Sequence, residues 1–352
     1  MYKYNFQKHQ LALPVYQVFC LILFLMLFSL NAQAVNDANQ KLDLTRGEYW
    51  SIQLENDFFA QSGDRYYTHG TEVSRMVMGE PPQWIESIAT FFPAFESDGV
   101  ISGVSYSIGQ KIFTPENTDT TALVVNDRPY AGYLYFTTAV LSRVSRENNM
   151  DTGNLIEFTI GIVGPSALGE EVQNGFHDLI DIDTAKGWEN QLNNELGIGL
   201  SYARFWRNIK SLGSVDYAIT PHVNLALGNV YTYAASGVMF RFGTHLENDL
   251  APPNIRPGFP GLSLFRPVKQ SNWYLFAGIE GRAVARNIFL DGNTFNESHS
   301  VDKNLLVGDL QFGFVFQTGK MRLSISNMVR TKEFKGQKDN TQFGAINISF
   351  ML

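Results

Sequence analysis

The sequence predicts an all-β fold, a transmembrane antiparallel β-barrel of about twelve strands with a helix inserted in an extracellular loop. Three features point to it: an N-terminal export signal, segment after segment alternating apolar and polar residues at period two, and a last such segment that runs straight to the C-terminus.

The export signal opens with Lys3 and Lys8, continues as an apolar stretch from Val15 to Leu30, and closes on the small-residue site Ala32-Gln33-Ala34. The apolar run is short for a membrane-spanning helix, and a cleavage site follows it, so residues 1–34 are expected to be removed and the mature chain to begin near Val35. Cys20, the only cysteine, lies in this leader; the expected mature chain therefore has no disulfide and no thiolate chemistry. Beyond it no apolar run is long enough to span a membrane, so any crossing must use a closed barrel, where every backbone amide finds a partner.

Residues 35–352 carry the strands. Trp50, Ile52 and Leu54 alternate with Ser51, Gln53 and Glu55; Val104, Tyr106 and Ile108 alternate with Gly103, Ser105, Ser107 and Gly109. Ile156, Phe158, Ile160 and Ile162 oppose Glu157, Thr159 and Gly161, and Leu196, Ile198, Leu200 and Tyr202 oppose Gly197, Gly199 and Ser201. Further segments run from Tyr217 to Leu227, Trp273 to Ile279, Leu310 to Phe316 and Met321 to Ile325, and the last carries Ile346, Ile348, Phe350 and Leu352 on one face. Less regular candidates lie at Thr71 to Met78, Gly132 to Leu141 and Ala235 to Phe242. An even count puts both termini on the periplasmic side. Polar breaks at Glu147-Asn148-Asn149, Asp291-Gly292-Asn293 and Lys338-Asp339-Asn340 suit turns. Between Gly169 and Asn194 the period changes: Val172, Phe176, Leu179 and Ile180 recur at helical spacing, followed by Trp188 and Leu192, which predicts a helix in a loop of about 169–194. A structured loop of that length is usually functional.

A formal net charge of −7 and the absence of any Lys/Arg-rich run exclude a nucleic-acid partner, which needs a basic face. Two clusters can carry chemistry. Glu55-Asn56-Asp57 ends one strand, and Asp64-Arg65-Tyr66-Tyr67-Thr68-His69-Gly70 leads into the next, so a hairpin gathers oxygen donors at the barrel rim. Such donors suit calcium, and they equally suit a plain polar turn. Alternation carries Asn56 along the Trp50, Ile52, Leu54 face, the lipid side, while Asp57 turns inward or upward. On the predicted helix Gln173 and His177 are four apart and share a face, with Asn174 beside them and Glu170 one turn earlier. An imidazole here is a candidate general base, against the alternative of a solvated polar face. No Gly-x-Ser-x-Gly elbow supports a serine hydrolase.

The runs Glu55-Asn56-Asp57-Phe58-Phe59, Asp64 to Gly70, Asn126-Asp127-Arg128-Pro129-Tyr130-Ala131-Gly132, and Gly161-Ile162-Val163-Gly164-Pro165 through Gln173-Asn174-Gly175-Phe176-His177 to Gly187-Trp188-Glu189-Asn190-Gln191-Leu192 resemble the outer-membrane lipid A 3′-O-deacylase family in order and interval. The last third of the chain resembles it only in its strands. The resemblance implies a Gram-negative outer-membrane barrel with its active site between the wall and a loop-borne helix. It also implies cleavage of the 3′-linked acyl ester of lipid A, within lipopolysaccharide and among outer-membrane lipids, by a monomer. In that reading calcium polarises the carbonyl and a histidine activates water. Carried over, His177 is the base, Asn56, Asp57, Thr68 and Gln173 fall on functional positions, Asp57 is the first choice for a calcium ligand, and Asp183, where the family has a glutamate, is the second. The chain departs from the pattern at Ala185, where a tyrosine is found, and between Thr114 and Val125, where a lysine is found and this sequence has no basic residue; both bear on substrate recognition. Two other readings keep the barrel: an outer-membrane phospholipase, and a catalytically silent barrel or channel in which charges such as Glu157, Glu280 and Arg282 pair inside.

Overall fold

The computed structural model describes residues 47–57, 66–78, 100–146, 150–179, 181–249 and 265–352. The leader at 1–34, Cys20, Val35, Asp64, Arg65, the turn at 147–149 and Ile180 lie outside the described residues.

Twelve strands close into one antiparallel barrel, each paired with its neighbours in sequence, and the first strand pairs with the last. They are β1 (Gly47–Asn56), β2 (Tyr66–Met78), β3 (Val100–Thr114), β4 (Ala131–Arg146), β5 (Met150–Val163), β6 (Glu195–Ser211), β7 (Asp216–Gly228), β8 (Tyr231–Gly243), β9 (Val268–Asn287), β10 (Leu306–Gly319), β11 (Met321–Arg330) and β12 (Thr341–Met351). The predicted fold class and strand count are therefore observed, with most strands longer than their alternating stretch. β9, for example, extends well beyond Trp273 to Ile279, because its ends face loops and carry less regular residues.

Closure is set by β1 against β12, where Tyr49 faces Met351 and Asn56 faces Gly344. The period-two pattern resolves into two surfaces. Ile52, Ile108, Phe136, Phe158, Ile160, Leu196 and Phe312 point outward and are exposed, forming the lipid-facing band. Ser51, Gln53, Glu55, Glu72, Glu157 and Arg282 point inward and are buried. The expected internal pairing is present: Arg282 donates to Glu280 at 3.0 Å and to Asp309 at 2.7 Å, and Ser201 donates to Glu157 at 2.9 Å.

The predicted helix is shorter than expected. Helix α1 spans Gly169–Leu179, and Trp188 and Leu192 do not continue it. Asp181 takes a left-handed φ of 57°, residues 182–187 have no regular structure, and Trp188–Asn190 form a separate 3₁₀ turn that buries Trp188. A second short helix, α2 (Ile288–Asp291), sits in the loop after β9.

The lumen is filled at both mouths. At the outer mouth, α2 drives Phe289 inward, where its ring stacks on Phe113 at 4.0 Å and packs beside Tyr231 and Tyr133. At the other mouth, the loop after β8 sends Asp249 and Phe265 into the barrel, both fully buried and bridged to each other. Arg207 and Arg241 donate to the Asp249 carbonyl at 2.7 and 3.2 Å. Tyr274 and Arg322 donate to its carboxylate at 2.6 and 2.7 Å. Reconstituted in a planar bilayer, the barrel is expected to carry no standing ionic current; a steady open level would mean that both plugs leave the lumen.

Candidate active site

The site is built at the rim opposite the chain termini, the outer rim of single-chain barrels, on the outward side of the wall. Asn56 ends β1 half-buried, in register with His69 of β2, and Asp57 follows it at 2% exposure. β2 opens on Tyr66, whose φ of 70° is the strained left-handed conformation for a non-glycine residue. Arg128 donates to the Tyr66 carbonyl at 3.0 Å, anchored in turn to Glu333 at 3.1 Å, and so clamps this turn.

A β-bulge then sets the side chains. The β2–β3 pairing steps from Tyr67 opposite Phe113 to His69 opposite Ile112, so Thr68 is the extra residue. The bulge lets Tyr67 point into the lumen, where its hydroxyl donates to Glu55, while the Thr68 hydroxyl lies 2.7 Å from that of Thr114. Thr114 shares the outward face of β3 with Ile112, and Ile112 is completely buried beneath Tyr130, Ala185 and Trp188. The loop that follows β5 thus covers the outward face of β3 and β4.

Helix α1 docks there through close backbone approach. A Cβ on Gly132 of β4 would come within 3.1 Å of the Ala167 Cβ and the Gly169 nitrogen, so glycine is what lets the helix start touch the wall. Gln110 of β3 donates to the Ala167 carbonyl at 2.6 Å. The buried residues of α1 are Gly169, Gln173 and His177, one face turned to the protein. Trp188 donates from its indole nitrogen to the Gln173 amide oxygen at 3.0 Å.

The His177 Nδ1 lies 2.7 Å from the main-chain oxygen of Asp183. A carbonyl oxygen only accepts, so Nδ1 carries the hydrogen and Nε2 presents the lone pair, the tautomer a general base needs. Asn174 fixes this arrangement: its amide accepts from the Ala185 nitrogen at 2.9 Å and donates to the Ala185 carbonyl at 3.3 Å, tying the loop segment that carries Asp183 to the helix.

Of the residues singled out from sequence, Asn56, Asp57 and Thr68 lie where the end of β1 meets the β2 bulge, and Gln173 and His177 lie on the buried face of α1, which docks over the outward face of β3 and β4. Asp183 contributes its carbonyl, while its carboxylate is exposed. Among the described residues no group of three or more His, Cys, Asp or Glu side chains converges. Thr114, Arg128 and Asn174 escaped the sequence analysis as positioning groups, although Arg128 and Asn174 stand in the quoted motifs. The Asn126-Asp127-Arg128 motif turns out to build the loop: the Asp127 carboxylate accepts from the nitrogens of Glu116 and Arg128 at 2.8 and 2.7 Å, and its burial pushes its carboxyl above the usual range. Lys186 donates its backbone nitrogen to the Thr118 carbonyl at 2.9 Å and Lys338 pairs with Glu116 at 2.9 Å, so both residues lie against this loop.

Over residues 18–352 the sequence matches the family model described as outer membrane protein LpxR. The chain belongs to the LpxR family of outer membrane proteins. The solved structure of LpxR from Salmonella typhimurium shares the fold, with a TM-score of 0.68 at 23% identity over 86% of this chain and 99% of that one. The β domain of the Bordetella autotransporter BrkA matches with a TM-score of 0.45 at 9% identity over 87% of this chain and all of that domain. No curated protein matches the sequence. Family and fold agree with the resemblance and make the chain an outer-membrane barrel.

Proposed function

We propose that the chain hydrolyses the 3′-linked acyl ester of lipid A in the outer leaflet, with His177 as the base. One observation carries this reading: a buried imidazole with its tautomer fixed for proton acceptance faces the wall on the lipid side of an outer-membrane barrel. The site is built from a single chain, so a monomer suffices. Water loses a proton to Nε2 as its oxygen attacks the ester carbonyl carbon. The tetrahedral oxyanion then collapses, the sugar alkoxide leaves and takes that proton from the imidazolium, and the products are a free fatty acid and a 3′-hydroxyl. The Asp183 carbonyl keeps the ring oriented and stabilises its charged form.

The donor chemistry at the rim fits calcium, which takes a few hard oxygens and completes its shell with water and substrate. Asp57 would hold it, with the Asn56 amide oxygen and the Thr68 hydroxyl alongside. When bound, calcium supplies carbonyl polarisation and oxyanion stabilisation. Asp183, whose side chain is exposed, is the second candidate ligand.

The test is mass spectrometry of lipid A from a Gram-negative host expressing the chain, with and without a calcium chelator. Loss of the 3′ acyl mass that disappears on chelation supports the proposal in full. Unchanged lipid A with fatty acid released from glycerophospholipid would move the substrate to phospholipid, and no release from either would leave a silent barrel.

A further inference from the structure

Helix α1 has three faces rather than two. At about 100° per residue, Gly169, Gln173 and His177 form the buried face, and Glu170, Glu171 and Asp178 lie on one exposed flank. On the other flank Val172, Phe176 and Leu179 are exposed at 39%, 52% and 80%, and Leu168 before the helix and Ile182 after it are half exposed as well. This inverts the usual arrangement, in which the apolar stripe packs on the protein. The polar site residues face the barrel, and the hydrocarbon faces away.

The stripe continues the lipid-facing band. Gly169 rests on Gly132, and Gly132 belongs to the outward face of β4 that next carries Leu134 and Phe136. Phe136 is in register with Ile108 of β3 and Ile160 of β5, and all three are exposed side chains of the belt. An apolar surface contiguous with that belt meets the same medium. The opposite flank, acidic at three positions, suits water and head groups, and a helix with one flank of each kind lies in the plane of a membrane interface.

We infer that α1 is an interfacial helix, its Val172, Phe176 and Leu179 flank embedded in the acyl chains of the outer leaflet and its Glu170, Glu171 and Asp178 flank in the aqueous head-group layer. The bilayer itself thus completes the packing of the helix against the barrel wall. This inference stands apart from the hydrolytic reading, since it concerns where the helix sits.

Cys20, the only cysteine, lies in the expected leader, and Cys20→Ser keeps the background cysteine-free with or without its removal, so single labels can be placed. Nitroxides at Phe176→Cys and Leu179→Cys report the apolar flank, at Asp178→Cys the acidic flank, and at Ile108→Cys the barrel belt. Each folded protein, verified by its heat-dependent electrophoretic mobility, is reconstituted in phosphatidylcholine vesicles and probed with oxygen and with a water-soluble nickel chelate. The labels at 176 and 179 are expected to match that at 108, with oxygen accessibility several-fold above nickel accessibility, and the label at 178 to show the reverse. Nickel accessibility at 176 and 179 equal to that at 178 would overturn the inference, as would labels at both positions shielded from both reagents, which would mean that protein covers the stripe. Because no step of the assay involves hydrolysis, a protein without lipid A activity shows the same accessibility pattern.

Discussion

Replacing His177 by alanine is expected to lower fatty-acid release by about 10²- to 10⁴-fold while leaving the barrel folded. Both effects follow from its location. His177 sits on α1, outside the closed strand ladder, and its hydrogen bond to the Asp183 carbonyl ties it to a neighbouring loop segment rather than to the wall. Losing it removes the proton acceptor but no strand pairing. His177→Asn sharpens the test, because its amide nitrogen takes the place of Nδ1 and still donates to the Asp183 carbonyl yet accepts no proton, so a variant with restored local packing and no restored turnover isolates base catalysis from positioning. Release measured on purified, folded protein with calcium present decides it; wild-type turnover in either variant would remove His177 from the chemistry. Asn174→Ala provides a graded companion, keeping the base and loosening its orientation, so it is expected to lower turnover less than either His177 variant.

Asp249→Ala is expected to destabilise the barrel by about 3–5 kcal/mol, the cost of stripping one partner from a buried ion pair. Arg322 and Asp249 are paired at 2.7 Å with essentially no exposure, and Tyr274 donates to the same carboxylate. The variant leaves the Arg322 guanidinium with Tyr274, to which it donates at 3.0 Å, but with no counter-charge from Asp249. Arg207 and Arg241 keep their partner, because they donate to the Asp249 main-chain carbonyl, which alanine retains. Asp249→Asn retains acceptors for both donors and removes only the charge, so its loss should be smaller. Denaturant titration followed by the mobility difference between folded and unfolded barrel reads the effect; an unshifted midpoint for the alanine variant would mean that this latch contributes nothing to stability.

Much of the fold was legible in the chain because a barrel wall is a repetitive object: each residue meets either lipid or lumen, and period two records which. Ile52, Ile108 and Phe158 sit where alternation put them, and so do Ser51, Ser105 and Glu157. Helical spacing was less faithful. Val172, Phe176 and Leu179 did mark α1, but Trp188 and Leu192, in step with them, belong to a separate turn, because spacing records which residues are apolar and not which partner covers them. Trp188 is buried because it lies on Ile112 and Tyr130, residues remote in sequence. The site divides in the same way. Asn56, Asp57, Thr68, Gln173 and His177 are candidates by residue type and order alone, whereas the hydrogen bond from His177 to the Asp183 main chain, the Asn174 clip and the Thr68 bulge were not legible, since backbone carbonyls and bulges leave no mark on side-chain pattern.

Residue order alone dictates that this chain forms a closed outer barrel with a helical insertion and a particular set of polar residues near its rim, because alternation, helical period and motif order are one-dimensional properties. Packing in three dimensions settles that the insertion folds over the lipid-facing side of β3 and β4, that its polar face turns to the wall and its apolar flank away, and that Asp249 and Phe289 fill the two mouths. Those outcomes rest on contacts between segments far apart in the chain, whose geometry is fixed by strand register and close backbone approach rather than by any local preference.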